Sequence, residues 1–216
     1  MTTIVIILFA ASATISLVFT RLLVRIGETT GALDSTGVEG HEKILRRVPN
    51  IGGIAIWATL VPPLAGGLIA IQLAPDAITN LIPVLAPWVE QIVQSAPMAT
   101  AFLVCLTILH ITGLFDDRRP LGALPKTCIQ LACTIVLVVW FDIRMLELLD
   151  TWLGTGSIMS IVATVVWIMV LTNAMNYLDN MDGVTAGITI VSGGLFMVAA
   201  LMGSQWFVAA TLALLV

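Results

Sequence analysis

The stretch at residues 151–178 reads TWLGTGSIMSIVATVVWIMVLTNAMNYL and contains no charged residue. A transmembrane helix needs about 20 mainly apolar residues, so this stretch can cross a bilayer. Five more stretches of similar character bring the predicted spans to six, at residues 4–20, 51–73, 98–115, 121–141, 151–178 and 183–202. A partial seventh span begins near Gln205 and reaches Val216, which is too short to cross.

The overall composition agrees with a membrane location. Hydrophobic residues make up 59% of the chain and charged residues 10%, and the mean hydropathy is +1.07. A soluble domain needs a largely polar surface, which this composition cannot supply. We therefore expect an all-α, polytopic membrane helix bundle that forms a single domain over residues 1–216, with the lipid bilayer as its surroundings and no nucleic acid partner.

The basic residues predict how the spans are threaded. Lys and Arg accumulate in cytoplasmic loops, and eight of the nine basic residues here lie in or beside the first and third loops, with only Arg144 in the fourth. This pattern predicts a multi-pass plasma (inner) membrane protein whose N-terminus is outside. The loops after spans one, three and five would then share the cytoplasmic face.

Polar residues interrupt this apolar chain at two places. Asn173, Asn176, Asp179 and Asp182 recur at every third position at the end of span five, and the pair Asp116-Asp117 ends span three. Such groups are costly near hydrocarbon and by default indicate a functional site. Since both sets are predicted to face the cytoplasm, we expect one composite site there.

The residue types indicate metal and phosphate chemistry. Carboxylates in groups suit Mg²⁺, which commonly takes one or two protein carboxylates and completes its shell with water and phosphate oxygens. Acids alone would repel a phosphorylated substrate, so a metal or nearby cations must offset their charge. The candidate substrate-binding cations are Lys43, Arg47 and Lys126. The tendency of basic residues to accumulate in cytoplasmic loops explains the first two equally well.

Three sequence blocks resemble a known family, the polyprenyl-phosphate N-acetylhexosamine-1-phosphate transferases. Residues 47–53, RVPNIGG, resemble a Pro-x-x-Gly-Gly segment, and residues 113–126, GLFDDRRPLGALPK, resemble the family's Asp-Asp motif. Residues 173–183, NAMNYLDNMDG, are similar to its Asn-Ala-x-Asn-x-x-Asp-x-x-Asp-Gly signature, which is the most specific of the three.

The resemblance implies a reaction and roles for the site residues. A sugar 1-phosphate would pass from a UDP-N-acetylhexosamine to a membrane polyprenyl (undecaprenyl) phosphate, with release of UMP, in peptidoglycan, lipopolysaccharide or other cell-envelope polysaccharide synthesis. Asp116 and Asp117 would be catalytic, and Asn173, Asn176, Asp179 and Asp182 would bind substrate. Mg²⁺ would be the cofactor, with Asp117, Asp179 and Asp182 as its ligands. Asp116 could instead be a covalent nucleophile, and both mechanisms stay open here.

The resemblance also shows what this chain lacks. Family members usually have more spans, a later Asp-containing motif that supplies a principal magnesium ligand, and a basic loop near the C-terminus. We therefore expect these residues to be the N-terminal part of a longer fold. The resemblance favours N-acetylglucosamine over the muramoyl-pentapeptide as the sugar, and it allows a homodimer.

Two other classes of membrane protein also use acidic residues. An intramembrane magnesium-dependent prenyltransferase also uses Asp-rich sites, but Asp116-Asp117-Arg-Arg-Pro120 offers no third acid at the usual spacing. A transporter would place acids near the middle of the membrane. Here the acids lie at one predicted aqueous edge.

Overall fold

The computed structural model describes residues 2–30, 52–119, 121–178 and 183–216. These residues are almost entirely helical, and none of them lies in a β-strand. A helix satisfies its backbone hydrogen bonds within one segment, as hydrocarbon surroundings require. The all-α class predicted from the sequence is confirmed.

The described helices match the predicted order of spans. They are α1 (Thr2–Thr30), α2 (Gly52–Leu73), α3 (Pro75–Leu81), α4 (Val89–Arg118), α5 (Ala123–Ile135), α6 (Leu148–Leu153), α7 (Ile158–Leu178), α8 (Val184–Met202) and α9 (Trp206–Leu215). A 3-10 helix, Pro83–Trp88, precedes α4, and a π-helical turn, Val136–Trp140, extends α5. In the described part of the chain, six helices can span a membrane by length and composition, which confirms the predicted number. Helix α9 has only 10 residues and is the partial seventh span.

The predicted start of span three is wrong. Helix α4 begins at Val89 rather than at residue 98 and runs through Pro97 without ending. Residues on both sides of this proline, Ile92 and Ala99, pack against α2 in one apolar cluster. Tertiary packing therefore holds the helix together across a residue that removes one backbone hydrogen bond.

The uncharged stretch at residues 151–178 is not one continuous helix either. The short helix α6 ends at Leu153, and α7 begins only at Ile158. Gly154 and Gly156 between them have φ values of +63° and +62°, which glycine adopts without the steric cost that other residues meet. The membrane-spanning part of this stretch is therefore α7 alone.

Two apolar clusters hold the described helices together. Val5 of α1, Ala200 of α8 and Ala209 and Ala213 of α9 form the first, and Ser12 Oγ in α1 donates a 2.7 Å hydrogen bond to the Leu214 carbonyl beside it. The second cluster joins α2 and α4 through Val61, Leu68, Ala99 and Leu103, with Phe207 of α9 packed against it. Small residues allow this close approach of helices, as is typical in membranes.

The alternating direction of the spans brings four helix ends to the same end of the bundle. Helix α2 begins there at Gly52, α4 ends there at Arg118, α5 begins there at Ala123 and α7 ends there at Leu178. Helix α5 contacts both α4 and α7. Gly183 opens α8 with φ +76°, so the predicted turn into span six at this glycine is confirmed.

Candidate active site

A cavity of about 560 Å³ lies where these four helix ends meet. Its lining comes from α2, α4, α5 and α7 and combines glycines, carboxylates and amides. The described lining residues are Gly52, Gly53, Leu109, Thr112, Gly113, Asp116, Asp117, Lys126, Gln130, Thr172 and Asn176. Four of the predicted site residues, Asp116, Asp117, Lys126 and Asn176, are therefore brought together from three helices, α4, α5 and α7.

Asp116 is held by a cation and a backbone amide. Lys126 Nζ lies 2.9 Å from Asp116 Oδ2, and the backbone N–H of Leu121 donates to Oδ1 at 3.0 Å. The side chains of Asp116 and Lys126 are 24% and 25% exposed, so the ion pair is only partly accessible to water. Because each carboxylate oxygen accepts a hydrogen bond, the orientation of Asp116 is fixed before any substrate arrives.

Asp117 lines the same cavity and is more exposed than Asp116. It follows Asp116 on the last turn of α4, so the two carboxylates project in different directions from one helix. The two acids are therefore not equivalent. Asp116 is bound to α5 through Lys126, whereas Asp117 is the more exposed carboxylate of the cavity lining.

Gln130 was not among the site residues predicted from the sequence. This glutamine of α5 is buried, and its Oε1 accepts a 3.2 Å hydrogen bond from Asn173 Nδ2 of α7. Asn173 Nδ2 also donates to the Met169 carbonyl at 2.8 Å. Asn173 is absent from the described cavity lining and reaches the cavity through Gln130. A glutamine four residues after Lys126, within an apolar span, is the sequence signal that could have revealed it.

Stacked rings join α2 to α4 beside Gly53, which lines the cavity. Trp57 and His110 stack with centroids 5.8 Å apart and planes 12° apart, and Trp57 Nε1 donates to Thr107 Oγ1 at 3.2 Å. His110 also approaches the Cα position of Gly53, where an added Cβ would lie 3.5 Å from the ring. These contacts place the start of α2 against the cavity.

Several predicted site residues lie outside the described residues. These are Lys43, Arg47, Asp179 and Asp182. Within the described ranges, no group of three His, Cys, Asp or Glu side chains could hold a metal ion. Of the predicted magnesium ligands, Asp117 alone is described, and its carboxylate at a polar cavity fits a cation that takes one or two protein carboxylates. Asp116 is less suited to be a magnesium ligand, because both of its carboxylate oxygens already accept hydrogen bonds from the protein.

A second polar cluster lies beyond the opposite ends of α5 and α7. Arg144 pairs with Asp142 at 2.6 Å and with Asp150 at 3.3 Å, and Asp150 Oδ1 accepts from the backbone N–H of Ser160 at 2.9 Å. Desolvation acts to raise the pKa of Asp150, but hydrogen bonds from Ser160 and the charge of Arg144 lower that pKa below its usual value. The hydrogen bond to Asp142 raises the pKa of Arg144. Since these groups bond to one another and to the start of α7, this cluster fastens the loop to the bundle.

The fold and the cavity define a polytopic membrane protein with a charged, amide-lined site at one end of its bundle. The family model for glycosyl transferase family 4 matches residues 99–216, more than half of the chain. The chain belongs to this family. The match includes the ends of α4 and α7 and the start of α5, which carry most of the cavity.

Curated relatives agree with this assignment. A probable undecaprenyl-phosphate N-acetylglucosaminyl 1-phosphate transferase of Bacillus subtilis is 28% identical over 205 residues, which cover 93% of this chain and 49% of the relative. A decaprenyl-phosphate N-acetylglucosaminephosphotransferase of Mycobacterium leprae is 30% identical over 149 residues, covering 67% of this chain and 33% of the relative. The chain therefore spans half or less of the length of these relatives. No solved structure matches it significantly.

Proposed function

We propose that the protein transfers an N-acetylhexosamine 1-phosphate from a UDP-sugar to a membrane polyprenyl phosphate and releases UMP. The observation that carries the proposal is the cavity in which the Asp116–Lys126 ion pair, Asp117 and Asn176 meet at one end of a membrane bundle. A site at the end of a span can receive a lipid headgroup from the bilayer and a nucleotide from water. The names of the relatives support N-acetylglucosamine as the sugar and a polyprenyl phosphate as the acceptor.

The charges of the cavity suit phosphate chemistry only with added cations. Asp116 and Asp117 carry two negative charges and Lys126 one positive charge, so the described ionic side chains of the lining sum to one negative charge. Two phosphate-bearing substrates would be repelled by this field. Lys43 and Arg47 of the first loop are the proposed additional cations, together with Mg²⁺.

Magnesium would be held by Asp117, with Asp179 and Asp182 as the other proposed ligands. When bound, Mg²⁺ would neutralise charge on the phosphates and help to align them. Asp116, Lys126 and Asn176 would act beside it as groups that position the phosphates. The amide of Asn176 supplies both a donor and an acceptor without adding charge to the site.

Direct displacement fits the geometry of Asp116 better than covalent catalysis. An oxygen of the lipid phosphate would attack the phosphorus next to the sugar, and the bond from that phosphorus to UMP would break. A phosphate monoester has a second pKa near 6, so the attacking oxygen is already mostly deprotonated at neutral pH. Asp116 would act by positioning Lys126, whose ammonium group can donate to that oxygen, because an ionised carboxylate only accepts hydrogen bonds. With a hydrogen bond on each of its oxygens, Asp116 is itself a poor nucleophile.

The proposed orientation puts the N-terminus outside and the active site in the cytoplasm of a cell bounded by a plasma (inner) membrane. The basic residues beside the cavity end of the bundle support this threading. The product would then enter peptidoglycan, lipopolysaccharide or other cell-envelope polysaccharide synthesis.

The test is UMP release by membranes that contain the full-length gene product. UDP-N-acetylglucosamine is supplied with and without undecaprenyl phosphate and with and without Mg²⁺. Release that requires both additions is the expected result. Absence of release with every UDP-N-acetylhexosamine would overturn the proposal and favour a prenyltransferase or a transporter, which isoprenoid condensation and vesicle flux assays would detect.

A further inference from the structure

Gln130 is a polar side chain that the proposed mechanism has not used. It is only 7% exposed and lies seven residues into α5, about 10 Å along the helix from its start at Ala123. An amide at such a depth in a membrane span is costly unless its groups are bonded. Gln130 also lines the cavity, one helical turn beyond Lys126 and on the same face of α5.

The hydrogen bonds around Asn173 determine how the Gln130 amide is oriented. The Met169 carbonyl can only accept, so the Asn173 group 2.8 Å from it must be the NH₂. The same nitrogen lies 3.2 Å from Gln130, which must therefore present its oxygen to Asn173. Gln130 Nε2 is then directed away from Asn173, and no described residue accepts a hydrogen bond from it. The lining of the cavity thus includes an amide donor, on a residue that is 7% exposed, with no acceptor for it among the described residues.

We propose that Gln130 is a substrate-binding residue whose Nε2 donates to a phosphate oxygen in this cavity. The inference rests on the proposed function, which brings two phosphate-bearing substrates to Asp116 and Lys126. The oxygen could belong to the lipid phosphate or to the diphosphate of the nucleotide sugar. A neutral donor holds either one without adding charge beside Lys126.

Two variants separate substrate binding from a structural role. Gln130→Met has a similar length but cannot donate, and its sulfur is at most a weak acceptor. Asn173→Leu removes the same hydrogen bond from the other side, and Gln130→Met is made on this background as well as alone. If Gln130 only holds Asn173, Gln130→Met should cost no further activity when Asn173 is already Leu. If Gln130 binds a phosphate oxygen, Gln130→Met should lower activity by a similar factor in both backgrounds.

Thr134→Val is the matched control. Thr134 is a buried polar residue one turn further along α5, it contacts Met169 Sδ of α7 at 3.9 Å, and it is not part of the described cavity lining. Its substitution disturbs the same α5–α7 contact without touching the cavity. The variant loses a 2.8 Å hydrogen bond to the Gln130 backbone carbonyl within α5 and the weak contact to Met169. We expect its kcat/KM to stay within about threefold of the unaltered protein, since neither contact involves the Gln130 amide.

The experiment measures kcat and KM for both substrates in the full-length gene product. Gln130→Met should lose about 10- to 100-fold in kcat/KM, both alone and on the Asn173→Leu background, as expected for a hydrogen bond to a charged group. A KM increase confined to undecaprenyl phosphate assigns the contact to the lipid, and one confined to the UDP-sugar assigns it to the donor. An active parent protein in which Gln130→Met costs no further activity on the Asn173→Leu background would overturn this inference alone. An inactive parent protein would overturn the proposed function as well.

Discussion

Replacing Lys126 with methionine tests the ion pair at the centre of the site. The change removes the cation but keeps an unbranched chain of similar length. Lys126 Nζ lies 2.9 Å from Asp116, and both side chains are about three-quarters buried, at 25% and 24% exposure. Breaking a fully buried pair costs roughly 3–5 kcal/mol, whereas an exposed pair contributes roughly 0–1 kcal/mol. We expect an intermediate loss of about 2 kcal/mol in the free energy of unfolding.

The assay is a double-mutant cycle on the purified full-length gene product in mixed micelles. Lys126→Met should cost about 2 kcal/mol alone and less than about 0.5 kcal/mol when Asp116 is already Asn, because the partner charge is gone. Lys126→Arg, which keeps the charge, is the matched control, and its free energy of unfolding should fall by less than that of Lys126→Met. Equal costs of Lys126→Met in both backgrounds would refute the reasoning, since they would mean that the two charges are not coupled. Transfer activity of Lys126→Met should fall by at least about 100-fold, as for loss of a preorganised charge.

Three further predictions concern catalysis, the cofactor and the opposite end of the bundle. Asp116→Asn should abolish transfer, whereas membrane insertion, measured by fractionation, should stay intact. Asp76→Asn in α3 is the control. Near-normal turnover of Asp116→Asn would remove Asp116 from the mechanism. EDTA should abolish UMP release and added Mg²⁺ should restore it, whereas activity that persists in EDTA would contradict a magnesium requirement. Asp150→Asn should lower the melting temperature at pH 7, because the folded state lowers the pKa of Asp150 and the resulting stabilisation is present above its unfolded-state pKa of about 3.9. The difference in melting temperature from the unaltered protein should disappear as the pH falls below the lowered pKa of Asp150. Transfer activity of the variant should be unaffected. A difference in melting temperature that stays constant from pH 7 to below that pKa would contradict the assigned role of the carboxylate.

Hydropathy predicted the number of spans correctly, because crossing hydrocarbon demands a minimum length of apolar helix. Hydropathy did not predict where the helices break, because an apolar stretch need not be one continuous helix. Gly154 and Gly156 interrupt an uncharged stretch that hydropathy reads as continuous. In contrast, Pro97 does not end α4, because packing against α2 on both sides holds the helix together.

The candidate site was predicted in part. Alternating spans and the basic loops indicated that Asp116, Asp117 and Asn176 would share one end of the bundle, and the cavity brings them together. The ion pair of Asp116 with Lys126 was not predicted, and neither was the role of Gln130 as a link to Asn173. Whether Asp179 and Asp182 join this site stays a prediction.

The sequence by itself determined the membrane class, the number of spans and the polar residues that break the apolar pattern. These properties depend on the transfer of each segment between water and hydrocarbon, which is set by local composition. Only the tertiary structure decided which polar atoms pair, joining Lys126 to Asp116 across 10 residues and Gln130 to Asn173 across 43. Such pairs depend on how each helix is rotated about its axis and how closely it approaches its neighbour. Side-chain packing between helices sets both quantities, and apolar length does not encode them.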